Sequence, residues 1–127
     1  MTETVEVETG PDPVGSVIWL HGLGADGHDF EPVVGQLGLP ESMPLMFVFP
    51  HAPVRPVTIN GGTEMRAWYD IRSFDAEGRA DHEGVRDSSR ILDALIDREI
   101  DRGIPADRIV VAGFSQGGAI AVHNVLR

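Results

Sequence analysis

The sequence predicts an α/β fold, a mostly parallel sheet with helices on both faces, and three observations carry that reading. Ser16–Leu20, Leu45–Phe49 and Ile109–Ala112 are short, unbroken apolar runs, the pattern of strands buried on both sides. Asp81 to Arg102 places Val85, Leu92, Leu95, Ile96 and Ile100 at helical spacing with charges between them, and lies between the second and third runs. The last run enters Gly113-Phe114-Ser115-Gln116-Gly117, and the helix-forming segment Ala119–Leu126 follows at once. Strands alternating with helices need crossover connections, which give a parallel sheet.

The remaining elements follow in order. Thr4–Glu8 alternates valine with acid and reads as an edge strand with one wet face, ended by Gly10-Pro11-Asp12-Pro13. Ser16–Leu20 runs into the glycine-rich loop His21-Gly22-Leu23-Gly24-Ala25-Asp26-Gly27, and a helix is expected over Asp29 to Leu37. His21 reads as a loop anchor bonded to backbone in preference to a ligand or base. After Leu45–Phe49, the stretch Pro50 to Gly62 holds too many prolines and glycines for a helix or central strand and is expected to be an ordered surface loop. At the carboxyl end of a parallel strand it would lie on the ligand-binding side of the sheet. Its Val57 and Ile59, with Met65, Trp68 and Tyr69, either line an acyl pocket or pack the loop for its own sake. Gly103 and Pro105 stop the long helix.

Composition narrows the function classes. The 127 residues are expected to form a single domain, with no internal repeat or linker. Ten basic residues against twenty acids give a net charge of −10, which excludes a phosphate-backbone partner such as nucleic acid. No apolar run approaches the roughly 18 residues of a membrane span, and the N-terminus has no signal-peptide pattern, so the default location is cytoplasmic. There is no cysteine, which removes disulfides, thiolate metal sites and a thiol nucleophile together. No metal-ligand cluster stands out, and no cofactor is expected.

GxSxG on a strand-to-helix turn is the arrangement that exposes a serine nucleophile. Gly113 and Gly117 suit a turn too tight for a Cβ, and the helix beginning at Gln116 points its first amides at the place where charge would develop on a substrate carbonyl. Ser115 is thus the candidate nucleophile. The first glycine-rich loop resembles the oxyanion loop of α/β-hydrolases, which makes the Leu23 and Gln116 amides the two expected donors. The bland alternative is a glycine-rich turn without chemistry, such as a phosphate-binding turn; neither GxGxxG nor GxxxxGK[ST] is present to support it.

Taken together, His21–Asp26, Pro50–Pro53, Val57–Gly62, Ala67–Asp70 and Gly113–Gly118 resemble the bacterial carboxylesterases of the phospholipase/carboxylesterase/acyl-protein thioesterase family, over about Ser16 to the last residue. The resemblance implies an α/β-hydrolase fold acting on small-molecule or lipid acyl esters or thioesters, with Ser115 as nucleophile and Leu23 and Gln116 as oxyanion-hole residues; Val57, Ile59, Met65 and Trp68 are the candidate substrate contacts from the loop reading above. In this fold the triad follows the order serine, acid, histidine. Gln116 to Arg127 contains no acid, and its one histidine, His123, sits eight residues along the helix, about 12 Å of rise from Ser115. The expectation is therefore an incomplete α/β-hydrolase domain over 1–127, truncated after the nucleophile helix and weak or inactive alone. The Ile109–Ala112 strand is then expected to be an open apolar edge, prone to self-association or to pairing with a complementing chain.

Overall fold

The computed structural model describes residues 2–71 and 81–126. The strands are β1 (Thr4–Glu8), β2 (Gly15–Leu20), β3 (Leu45–Pro50), β4 (Val54–Val57), β5 (Thr63–Arg66) and β6 (Ile109–Gly113); the α-helices are α1 (His82–Asp101) and α2 (Gln116–Leu126). Four strands form a sheet in the order β1-β3-β2-β6. The apolar β2 and β3 take its interior and run parallel, β6 joins β2 in parallel, and β1 joins β3 antiparallel at the far edge. The register pairs Leu20 with Gly113, which brings the loop after β2 alongside the turn after β6.

Alternation along the strands sorts side chains onto two faces. Ile18, Leu20, Met46 and Val48 pack with Leu92 and Leu95 of α1 and Ile120 and Ala121 of α2 in one core. Each large side chain buried there contributes about 1.5–3 kcal/mol. The other face carries an aromatic cluster, in which Trp19 stacks on Phe30 at 5.0 Å and lies 6.3 Å from Phe49. The segment covering this side is a 3₁₀ helix, Glu31–Gln36, where an α-helix over Asp29 to Leu37 was expected. Pro32 offers no amide to a helical ladder and Gly35 disfavours the helix, so only the tighter turn forms.

A second correction concerns Pro50 to Gly62. Part of this stretch is an antiparallel hairpin, β4 paired with β5, turned through Gly61 and Gly62 at φ 68° and 79°. Pro56 is tolerated because in a two-stranded ribbon its missing amide can face away from the partner.

The long helix follows its sequence signals. Asp81 caps it by accepting from the Gly84 amide at 3.1 Å. Gly103, at φ 103°, ends it with amide bonds back from Gly103 to Ile100 and from Ile104 to Glu99. Near that end Glu99 is fully buried, accepting from the Ser16 hydroxyl at 2.8 Å and lying 3.1 Å from Arg102. Arg98 and Arg102 also grip Glu6 at 2.8 and 3.0 Å, stapling the edge strand to α1. No helix among the described residues is long and apolar enough to cross a membrane.

Burial pushes the Glu6 carboxyl up, but hydrogen bonds from Arg102 and Thr4 and the charges of both arginines hold it below its usual 4.5. A carboxylate with a depressed folded-state pKa adds stability above its unfolded pKa and loses it as pH falls through the folded value. Glu6→Gln is therefore expected to melt below wild type at pH 7, with the two curves merging as pH is taken below 4. Melting followed by circular dichroism across pH measures this; a difference that persists in acid would assign the effect to packing.

Candidate active site

The turn after β6 is built by close backbone contact. A Cβ on Gly113 would lie 2.4 Å from the Gly117 carbonyl carbon, and one on Gly117 would lie 2.3 Å from the Leu20 carbonyl oxygen. Only glycine fits at either place. The Phe114 amide donates to Leu20 O at 3.1 Å and the Gly117 amide to Phe114 O at 3.0 Å, closing the turn onto β2. Ser115 between them is exposed and held at φ 55°, a left-handed conformation that costs a non-glycine residue about 1–3 kcal/mol. Among the described residues its hydroxyl has no hydrogen-bond partner.

The loop after β2 lies against this turn. A Cβ on Gly22 would sit 3.2 Å from the Phe114 ring and 3.6 Å from Ser115 Cβ. The Gly24 amide is tied to Arg66 O at 2.9 Å and the Ala25 amide to Gly22 O at 3.3 Å, while the Leu23 amide just before them has no acceptor among the described residues. The Gln116 amide, in the first turn of α2, likewise has none, as the first amides of a helix must. One uncommitted amide thus follows the left-handed serine directly, and the other lies in the loop packed against its turn.

His21 is an anchor. It is 1% exposed, Nε2 accepts from the Ala52 amide at 3.0 Å, and Nδ1 faces Gly22 O at 2.7 Å, so the ring proton belongs on Nδ1. Burial pulls its pKa down, against the opposing effect of the Gly22 carbonyl. With both nitrogens occupied it is not a base for Ser115. His123 lies exposed on α2, in its last turn.

The residues expected to line an acyl pocket separate into two groups. Met65 and Ile59 are half-buried, and the Met65 sulfur would touch a Cβ on Gly24 at 3.8 Å, which puts it beside the loop of Leu23. Trp68 and Val57 are 1% and 0% exposed and offer no surface to a ligand. The reading of these two as substrate contacts is corrected on that ground: a bulky apolar side chain next to a tight backbone network is claimed by the core. The Trp68 indole instead donates to His21 O at 2.9 Å, and its main-chain amide donates to Gln116 Oε1 at 2.7 Å.

A polar network around Trp68 escaped the sequence reading. Ser88 donates to Trp68 O, Asp81 accepts from the Asp70 amide at 2.7 Å, and Asp70 accepts from the Thr58 amide and hydroxyl at 2.8 and 2.6 Å. The bonds that Ser88 and Asp70 make across the fold, to Trp68 O and to Thr58, had no local signal.

A family model described as Phospholipase/Carboxylesterase matches residues 2–127. Acyl-protein thioesterase 1 of Cryptococcus neoformans is 45% identical over 115 residues, covering 87% of this chain and 48% of the relative. Acyl-protein thioesterase 1 of Neurospora crassa is 43% identical over 117 residues, with the same coverage. Among solved structures, Arabidopsis thaliana SOBER1 superposes with a TM-score of 0.81 at 36% identity, over 88% of this chain and 54% of that one. Zea mays acyl-protein thioesterase 2 gives 0.79 at 30% identity, over 98% and 51%. The chain spans about half the length of the curated relatives it matches. These relatives are fungal and plant proteins, so the narrower bacterial resemblance does not find support in them.

Two outcomes are expected from the site. Gly117→Ala should force α2 off β2 and lower the melting temperature by 10 °C or more, on the order of 3 kcal/mol for a buried backbone clash; an unchanged melt would show that the contact is not made. Long-range ¹H–¹⁵N spectra should find His21 neutral with its proton on Nδ1 at pH 7, titrating only below 6.5. Since its folded-state pKa is depressed, stability contributed by His21 is full above 6.5 and falls as pH drops from there toward the folded value.

Proposed function

The chain belongs to the phospholipase/carboxylesterase family, and from that premise we propose that it carries the acyl-accepting centre of a serine ester or thioester hydrolase. The observation that carries the reading is the exposed, left-handed Ser115 with the uncommitted Leu23 and Gln116 amides beside it. In the proposed reaction Ser115 Oγ attacks an acyl carbonyl carbon as its proton passes to a base. The new Oγ–C bond leaves the carbonyl oxygen negative, facing the two amides. Collapse expels the alcohol or thiol, which takes up the proton, and water then cleaves the acyl-serine to the free acid. Oxyanion donors of this kind contribute about 10²–10³ in rate each.

Substrates are small-molecule or lipid acyl esters and thioesters, the second favoured by the relatives named acyl-protein thioesterases. Met65, half-buried beside the loop, and the half-buried Ile59 are proposed to meet the acyl group. The base is the missing part: His21 is committed and no acid or histidine pairs with Ser115 among the described residues. Turnover by the 127 residues alone is accordingly expected to be slow, since a serine without a base is a poor nucleophile at neutral pH.

A second reading, association with a complementing chain or with itself, is favoured by one observation. Strand β6 is an edge of the sheet among the described residues, and Val110, Phe114, Val122, Val125 and Leu126 are all more than half exposed beside it.

With 4-nitrophenyl acetate, intact-mass measurement should find one acetyl group per chain, mapped to Ser115, and added imidazole should accelerate its arrival by supplying a base. Ser115→Ala should take up none; labelling that survives this substitution, or no labelling of wild type with imidazole present, overturns the acyl-enzyme reading. For the second reading, sedimentation should depend on concentration, and a separately made C-terminal half of a related thioesterase should restore turnover. A monodisperse, cooperatively melting monomer that ignores that half would remove it.

A further inference from the structure

We propose that the Gln116 side chain and Trp68 together form a strut that sets the separation of the two oxyanion-hole amides, making Gln116 a positioning residue as well as an amide donor. The inference rests on the oxyanion role proposed above for Leu23 and Gln116, and it concerns how their geometry is fixed.

The Gln116 side chain is 4% exposed although it sits at the first position of α2, where a polar residue would ordinarily reach solvent. Both ends of its amide are used: Oε1 accepts from the Trp68 amide at 2.7 Å and Nε2 donates to Tyr69 O at 2.8 Å. Those partners force the orientation, because the reversed amide would set NH₂ against N–H and carbonyl against carbonyl. The side chain therefore pairs with main chain as a strand would, and leaves α2 little freedom to slide or roll at its start.

Trp68 extends the connection to the other donor. Its indole Nε1 donates to His21 O at 2.9 Å, and its ring lies 5.2 Å from the His21 ring. His21 is itself locked by Ala52 and Gly22, and Leu23 follows two residues later. Trp68 is fixed in turn by Ser88, which bonds its carbonyl, and by Asp81, which holds the Asp70 amide. One buried residue thus bonds to both halves of the hole, through its main chain to Gln116 and through its indole to the loop of Leu23. A site that must hold two donors on one oxygen needs such a brace, since displacement by about 1 Å can cost on the order of a hundredfold in rate.

Gln116→Met keeps the length of the side chain and removes both hydrogen bonds. The expected result is a displaced Leu23 amide cross-peak in ¹H–¹⁵N spectra, at a residue whose own neighbours are unchanged. Imidazole-assisted acetylation of Ser115 should slow by about tenfold or more, with the half-saturating ester concentration within about twofold of wild type. If Leu23 and the acetylation rate match wild type while only the melting temperature falls, Gln116 serves stability and the strut is overturned. Should the methionine variant not fold, Gln116→Glu decides the question. Its neutral carboxyl reproduces the donor and acceptor of the amide, whereas its carboxylate repels Tyr69 O. The Leu23 cross-peak is then expected at its wild-type position in mild acid and away from it above neutrality; a peak that does not move between the two overturns the proposal. Failure of wild type to acetylate would sink the proposed function while leaving the Leu23 displacement as the test of the strut.

Discussion

Where α2 begins, Gly113 and Gly117 bring its first turn into direct contact with the carbonyl ends of β6 and β2, with no side chain between them. The rest of the architecture depends on that approach. It aligns Leu20 with Gly113 in the sheet register, places the loop of Leu23 beside the turn, and puts Ser115 at the apex in a conformation the turn alone makes affordable. It also seats Ile120 and Ala121 on Leu92, Leu95 and Ile18, so that the exposed hydroxyl and the buried core are tied through the same helix. Loosening the contact would disturb both, because interiors packed at crystal-like density transmit displacement.

The chain between the hairpin and α1 shows how an irregular segment can be held as firmly as a strand. Ala67 to Asp70 has no regular structure, yet its main chain is met by Pro53, Gln116, Ser88 and Asp81. Buried main-chain groups left unpaired would each cost about 1–3 kcal/mol, so this tally of partners is the condition for running such a segment through the core. The partners come from three separate parts of the sequence, which makes the segment a hub that joins the hairpin, the long helix and the turn at Ser115.

The elements legible in the sequence are those set by local patterns. Runs such as Ser16–Leu20 announce a buried strand by being apolar throughout; the spacing of Leu92, Leu95 and Ile96 announces a helix, and Gly103 its end. The tight turn around Ser115 was legible because its steric requirement is written as two glycines. A helix was expected over Asp29 to Leu37, but Pro32 and Gly35 tipped it to 3₁₀, a balance too small to read from residue types. Trp68 shows the deeper limit. A tryptophan near a glycine-rich loop is as suited to a ligand wall as to a core, and what decides between them is the carbonyl of His21, 47 residues away, which only the folded chain brings within reach of its indole.

The left-handed backbone at Ser115 sets two demands against each other. Glycine adopts that conformation at no steric cost, so replacing the serine with glycine would relieve strain of about 1 kcal/mol while deleting the hydroxyl. Stability and chemistry therefore favour different residues at this one position. Under selection for folding alone, substitution there would drift toward glycine or asparagine, which take up the left-handed conformation more readily. Position 115 is therefore a place where one substitution exchanges an exposed hydroxyl for a more relaxed, sturdier turn.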